Sequence, residues 1–139
     1  ISTAITPTAG AAGTTAIEGT GLDMAGFESV LMLLRMGAIT TGAVTSVKAQ
    51  QSSDDAVADA YSDIEGTSQT IADDDDAEFF YIDLVKPTKR YVRVYVSRAT
   101  QNAVVAEGHY FQYGAKVEPV TQGTGVNGEI HISPAEGTA

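Results

Sequence analysis

The sequence predicts an all-β fold, a single β-sandwich or jelly-roll-like domain of about six to eight strands with an extended arm at each end. Three observations lead to this prediction. Short apolar segments that alternate with a period of two recur about every ten residues. Glycine and proline separate these segments. Finally, the 139 residues are 43% apolar, which favours one domain with a substantial core.

The predicted boundaries follow composition along the chain. Residues 1–13 are small and polar and are expected to form an N-terminal arm, followed by the β-sandwich domain over residues 14–113. Large apolar residues almost vanish from residues 114–139, so this segment is expected to form an extended C-terminal arm. Within that arm only GEIHIS (128–133) predicts a short strand, and within the domain TTAIEGT (14–20) predicts the first one.

Two apolar segments in the first half of the domain predict neighbouring strands. Residues 27–36 alternate along the chain, and Gly26 and Gly37 bound a segment of strand length, although Leu, Met, Glu and Arg also suit a helix. AVTSVKAQQSS (43–53) alternates in the same way and decides in favour of strands. Residues 37–42 are then expected to join the two strands as a hairpin.

The acidic segment that follows leaves two alternatives open. Residues 54–61 could form a helical turn with Ser53 as its N-cap, or an excursion that crosses the end of a sheet. SQTIADDDD (68–76) then predicts a short strand that ends in four aspartates.

The clearest signal is a predicted hairpin over residues 78–97. EFFYIDLV and RYVRVYVS both alternate with a period of two and flank KPTK, where Pro87 suits the second position of a type I turn. One face of the second strand consists of valines, which must lie in the core. Its other face carries Tyr91, Arg93 and Tyr95, which can meet either solvent or a partner.

Charge is distributed unevenly along a chain whose formal net charge is −10. Eleven acidic side chains and no Lys or Arg lie in residues 54–83, whereas five basic side chains and no acid lie in residues 86–98. This separation suits head-to-tail contact between identical subunits, and it equally suits intramolecular balance across neighbouring strands. An acidic chain binds DNA poorly, and the valines that alternate with the Tyr and Arg of KRYVRVYVSR favour ordinary strand chemistry, so we expect no nucleic-acid partner.

No pattern in the sequence predicts catalysis, a cofactor or a metal. Asp73–Asp76 lack the spacing of a calcium loop and predict a solvated acidic loop instead. His109, in the last predicted strand or strand pair (102–114), and His131 belong to no catalytic pattern, and the chain has no cysteine. The longest apolar run, residues 30–34, is too short to cross a bilayer, so no membrane partner is expected.

Two segments carry a family resemblance, namely KPTKRYVR and the C-terminal QYGAKVEPVTQGTGVNGEIHISPAEGTA. Through them, and over about residues 16–139, the chain resembles a small head structural protein of tailed bacteriophages. The resemblance implies a non-enzymatic capsid decoration, or cement, protein without cofactors. Such a protein would lie on the outer surface of the virion, bind the phage major capsid protein and stabilise its lattice, commonly as a homotrimer.

Two other classes of protein stay open. One is a different virion part, such as a head spike base, a head–tail connector or a tail protein, and the other is a carbohydrate-binding β-sandwich module. For the decoration protein, the expected subunit or capsid contacts are Tyr91, Arg93, Tyr95, Val117, Val120, Ile130 and Ile132.

Overall fold

A computed structural model describes residues 1–129, which form ten β-strands and no helix. The strands pair in antiparallel fashion into two sheets, so the predicted all-β sandwich is confirmed, with more strands than expected. The strands are β1 (Ser2–Ile5), β2 (Ile17–Glu18), β3 (Leu22–Asp23), β4 (Phe27–Ile39), β5 (Val44–Ser52), β6 (Ser62–Asp63), β7 (Gln69–Ile71), β8 (Phe79–Val85), β9 (Tyr91–Ala99) and β10 (Ala103–Ala115). Sheet A has the order β1–β10–β4–β8. In sheet B, β9 and β5 lie at the centre; β2 and β3 pair with the outer side of β9, and β6 and β7 pair with the outer side of β5.

The core lies between the two sheets and takes alternate residues from the long strands. The valine face of β9 is fully buried, as the sequence predicts. Sheet A contributes the even-numbered face of β4 and the inner side of β10. Because period-two alternation places all of these side chains on one side of their sheet, each sheet buries one face against the other. The fully buried members include Val30, Met32, Leu34, Met36, Val47, Val92, Val94, Val96, Val105 and Tyr110.

Tyr110 joins the two sheets by hydrogen bonds. It belongs to β10 of sheet A, yet its buried hydroxyl accepts the N–H of Val94 in sheet B at 2.9 Å and donates to the carbonyl of Thr20 at 3.0 Å. The hydroxyl thus fills the gap in the sheet B ladder between β2 and β3. A Cβ on Gly19 would lie 2.8 Å from this hydroxyl, so only glycine allows the close approach.

Both predicted hairpins are wrong, although their strands are right. Strand β4 pairs with β8 and β10 in sheet A, whereas β5 pairs with β9 in sheet B, so residues 37–42 lead from one sheet to the other. In the same way KPTK leads from β8 in sheet A to β9 in sheet B. The two strands of each predicted hairpin therefore lie in opposite sheets. They pack face to face across the core and do not pair by backbone hydrogen bonds.

The N-terminal segment also differs from expectation. Within the predicted arm over residues 1–13, Ser2–Ile5 form edge strand β1, and Ala4 and Ile5 are buried. The guanidinium of Arg98 holds the following residues, because it donates to the carbonyls of Ala11, Thr15 and Ala103, each at 2.7 Å. The start of the chain is therefore part of the sandwich.

Residues 53–61 form turns rather than a helical turn. Asp55 and Ala56 have left-handed φ angles of 58° and 65°, which a right-handed helix excludes. Ser53 caps no helix here, since its N–H and its hydroxyl both donate to Asp59. At the C-terminal end, no strand follows β10 among the described residues, and most of the predicted strand over 128–133 lies outside them.

Removing the Tyr110 hydroxyl should destabilise the fold without changing its shape. Tyr110→Phe leaves the buried N–H of Val94 and the carbonyl of Thr20 without this partner, so the free energy of unfolding should fall by about 1–3 kcal/mol in urea titrations. Tyr81→Phe is the matched control, since Tyr81 is 61% exposed, and should change it by less than about 0.5 kcal/mol. Equal effects of the two substitutions would contradict the bridging role.

Candidate interaction surface

The outer face of sheet B is a polar network centred on Arg93. Its guanidinium donates to Gln50 and to Glu18, both at 2.9 Å, and lies 4.2 Å from the ring centroid of Tyr61. These partners come from three other parts of the chain. The charge of Arg93 is therefore balanced within the molecule, as the intramolecular alternative requires.

The same pattern repeats on either side of Arg93. Lys48 pairs with Asp63 at 2.6 Å while its ammonium lies 5.0 Å from the ring centroid of Tyr95. Arg90 makes a bidentate pair with Asp23 and lies over the ring of Tyr91. The bond from Arg90 lowers the pKa of Asp23. Tyr91, Arg93 and Tyr95 thus lie together, half-buried, on the outer face of sheet B. Their roles as subunit or capsid contacts stay predictions.

Two of the four aspartates fasten two loops to one another. Asp76 accepts the N–H of Ile39 and Asp73 accepts the N–H of Gly42, both at 2.6 Å, while Asp75 accepts an N–H of its own loop. The carboxylates therefore point in different directions and hold the β7–β8 loop against the β4–β5 connection. Residues 1–129 contain no group of three or more His, Asp or Glu side chains that could hold a metal ion.

The outer face of sheet A carries a cluster of apolar and aromatic side chains, and Arg35, Asp83, Glu107 and His109 share this face. We define the aromatic face by six side chains from β4, β8 and β10. Cross-strand pairs bring them into two adjoining rows, because Tyr81 lies opposite Leu33 and Leu31 lies opposite Phe111. Two members on β8 are more than half exposed, at 62% for Phe79 and 61% for Tyr81. The members are Leu31, Leu33, Phe79, Tyr81, Phe111 and Tyr113.

Polar groups at its rim orient some of these rings. The Tyr113 hydroxyl donates to Asp83 at 2.6 Å, and this bond raises the pKa of Tyr113. The guanidinium of Arg35 lies 5.8 Å from the ring centroid of Phe79. The aromatic face therefore presents exposed rings in a defined arrangement on a rigid sheet.

The remaining predicted site residues lie elsewhere. Val117 and Val120 follow β10 and are 79% and 39% exposed, and Ile130 and Ile132 lie outside the described residues. The aromatic face could not be selected from the sequence, because β8 is apolar on both of its sides and alternation alone does not say which side is buried. From the sequence, the row of Phe79, Tyr81, Asp83 and Val85 could be recognised as one face of the strand, but not as the exposed face.

Comparison with known proteins identifies no relative, since no family model, no curated protein and no solved structure matches the chain. The part of the chain that the structure describes contains no helix long and apolar enough to cross a membrane. The surface must therefore be interpreted from its own geometry and chemistry.

Acid should weaken the fold in part through Asp59. Its carboxylate accepts from Lys89 at 2.6 Å and from Ser53, which lowers the pKa of Asp59 from 3.8 to about 2. The unfolded chain therefore binds this proton at higher pH than the folded chain does. The stabilisation is present above the unfolded pKa of about 4 and is lost as the pH falls toward about 2.

Asp59→Asn should accordingly make the melting temperature less sensitive to pH between about 5 and 2. Differential scanning calorimetry across this range measures the slope. Asp74→Asn is the matched control, because no hydrogen bond or ion pair involves the Asp74 side chain within residues 1–129. An Asp59→Asn protein with the pH dependence of the parent would contradict the proposed role of this carboxylate.

Proposed function

We propose that the protein is a virion structural protein, a capsid decoration protein that binds the outer surface of a phage head through the aromatic face. In this role it stabilises the lattice of the major capsid protein and needs no catalysis or cofactor. The single observation that carries the proposal is the contrast between the two outer faces. One is a charge-balanced polar network, and the other exposes aromatic rings.

Exposed aromatic rings on a sheet have a physical cost that an interface removes. Soluble monomers rarely expose large contiguous apolar patches, and such patches usually mark contact sites. Aromatic residues are also the side chains most enriched where binding energy concentrates. Docking sheet A on a shell would cover Phe79 and Tyr81, while sheet B and its ion pairs would face solvent.

A lattice also makes weak individual contacts sufficient. Many copies on one particle gain avidity without strong single contacts, and a homotrimer would raise this gain further. The net charge of −10 would keep decorated particles apart in solution. We therefore place the protein on the outer capsid surface, with the major capsid protein as its partner and without direct contact to nucleic acid or membrane.

A carbohydrate-binding module is the second candidate function, and one observation favours it. Tyr81 and Phe79 are exposed aromatic side chains on a sheet beside the hydrogen-bonded pair of Asp83 and Tyr113, and exposed aromatic side chains also suit contact with sugar rings. Glycan binding by the isolated protein, lost in Tyr81→Ser, would support this candidate. A different virion part would be distinguished by a copy number of a few rather than hundreds per particle.

The test compares the two outer faces in one binding experiment. Heads that lack the protein are mixed with purified protein and sedimented, and the bound fraction is measured. Tyr81→Ser, on sheet A, should weaken binding by about tenfold or more, since it removes an exposed ring at the proposed contact. Tyr95→Ser, on sheet B, is the matched control and should bind like the parent protein.

Two outcomes would contradict the proposal. Loss of binding in Tyr95→Ser together with normal binding in Tyr81→Ser would show that sheet B is the docking face, as the sequence analysis expected for Tyr95. Failure of the parent protein to bind heads at all would contradict the decoration function itself.

A further inference from the structure

Within residues 1–129, strand β8 is a long edge strand with no other strand on its outer side. Among these residues it pairs with β4 alone, over seven residues and without a shift in register. The other sheet edges among the described residues carry strands of two to four residues, and β1 also has a register shift. Natural proteins protect exposed edges by such short or irregular strands, or by Lys and Pro. Residues 79–85 contain neither Lys nor Pro.

The open backbone groups of β8 belong to its odd-numbered residues. The N–H of Lys86 donates to Glu28 and the N–H of Met36 donates to Glu78, so even-numbered positions of this segment face β4. Residues 79, 81, 83 and 85 therefore direct their N–H and C=O groups toward the open edge. In agreement, the Gln69 side chain donates from outside to the carbonyl of Tyr81 at 2.8 Å.

The same odd-numbered residues carry the exposed side chains of β8. Phe79, Tyr81 and Val85 are each more than 60% exposed, and Asp83 is exposed between them. A strand added at this edge would displace the Gln69 amide from the Tyr81 carbonyl, pair the backbone groups of the odd-numbered residues and cover apolar surface in one step. The left-handed φ angles of Ala77 and Lys86 limit such pairing to the residues between them.

We propose that this edge binds a second copy of the chain, with the two β8 strands antiparallel about a two-fold axis at Ile82. In this register Phe79 lies opposite Val85 of the second copy, and Tyr81 lies opposite Asp83 of the second copy. Each apolar side chain meets an apolar one, and each carboxylate meets a phenol that can donate to it. All four residues with outward backbone groups find a partner in the second copy, because residues 79 and 85, and residues 81 and 83, lie at equal distances on either side of Ile82.

Charge around β8 favours the same arrangement. An acidic flank, Asp73–Asp76 with Glu78, precedes the strand, and basic residues follow it. Antiparallel pairing sets each acidic flank beside the basic flank of the other copy, with Glu78 near Lys86, which directly follows the paired segment. Neither of these two side chains has an ion pair within residues 1–129. A second copy thus supplies the opposite charge that each lacks.

Neighbouring registers are worse. A shift by two residues in one direction places Asp83 opposite Asp83 of the second copy, which brings like charges together. A shift in the other direction places Phe79 opposite Asp83 of the second copy and leaves Val85 without a strand partner. The pairing about Ile82 avoids both problems.

The dimer has one continuous eight-stranded sheet, made of the two four-stranded sheets A. The aromatic faces of the two copies then lie on the same side of this sheet. The contact is isologous, so it is distinct from the three-fold contact of the proposed homotrimer. It forms between two copies alone, and its test needs no capsid.

Disulfide trapping tests the register in the full chain, which has no cysteine of its own. A Phe79→Cys protein is mixed with a Val85→Cys protein under mild oxidation, and a covalent dimer is expected on non-reducing gels. Each protein alone should give little covalent dimer. In a dimer of two identical variants, the cysteines of the two copies are separated by six residues of strand, or about 20 Å. Efficient dimer formation by either protein alone, or none in the mixture, would overturn the proposed register.

Sedimentation equilibrium tests the edge contact without cysteines. Asp83→Pro removes an open N–H but no bond to β4, so it should keep the melting transition and weaken the dimer at least about tenfold. Asp83→Ala, which keeps the N–H, is the control for the lost side chain and should weaken it less. Tyr81→Asp should weaken the dimer at least about tenfold and Tyr81→Arg should strengthen it, because residue 81 lies opposite Asp83. A parent protein that stays monomeric, or equal effects of Asp and Arg at residue 81, would overturn the proposal.

Discussion

The structure depends on the hydrogen bonds of one buried hydroxyl, that of Tyr110, which belongs to sheet A and completes the ladder of sheet B. Strands β2 and β3 leave a gap beside β9, and the N–H of Val94 in that gap would otherwise be buried without a partner. The Tyr110 hydroxyl fills the gap, and Gly19 gives it room. Since Thr20 also donates to Ala4, the same region connects β1, β9 and β10. These bonds stabilise the packing of the two sheets over their shared core, and this packing leaves one face of each sheet outward.

Much of the fold could be predicted from the sequence, because alternation is a local property. The strands over β4, β5, β8 and β9 and the buried valines of β9 follow from their period of two and are confirmed. The pairing of those strands could not be predicted, since a four-residue loop with proline suits a hairpin and a crossover between sheets equally. The N-terminal segment was misjudged because Ala4, Ile5 and Gly10 are its only buried residues, too few to give a periodic signal.

The candidate surface was harder to predict than the fold. Tyr91, Arg93 and Tyr95 attract attention because charged and aromatic residues alternate there, yet Glu18, Gln50 and Tyr61, which are distant in sequence, meet Arg93. In β8 both rows of side chains are apolar, so the exposed row is known only once β4 and the core are in place. Three of the four aspartates also accept backbone N–H groups, and these bonds could not be predicted because two of the donors lie more than 30 residues away in the sequence.

In the decoration role that we propose, the two outer faces differ, with sheet A in contact with the shell and sheet B facing solvent. The most direct measurement is a cryo-electron microscopy map of the particle that carries this chain. We expect hundreds of copies on the head exterior, with Phe79 and Tyr81 in covered contacts and the network around Arg93 facing solvent. A map in which the Arg93 network contacts the shell while Phe79 and Tyr81 face solvent, or in which the protein is absent from the head surface, would contradict this claim.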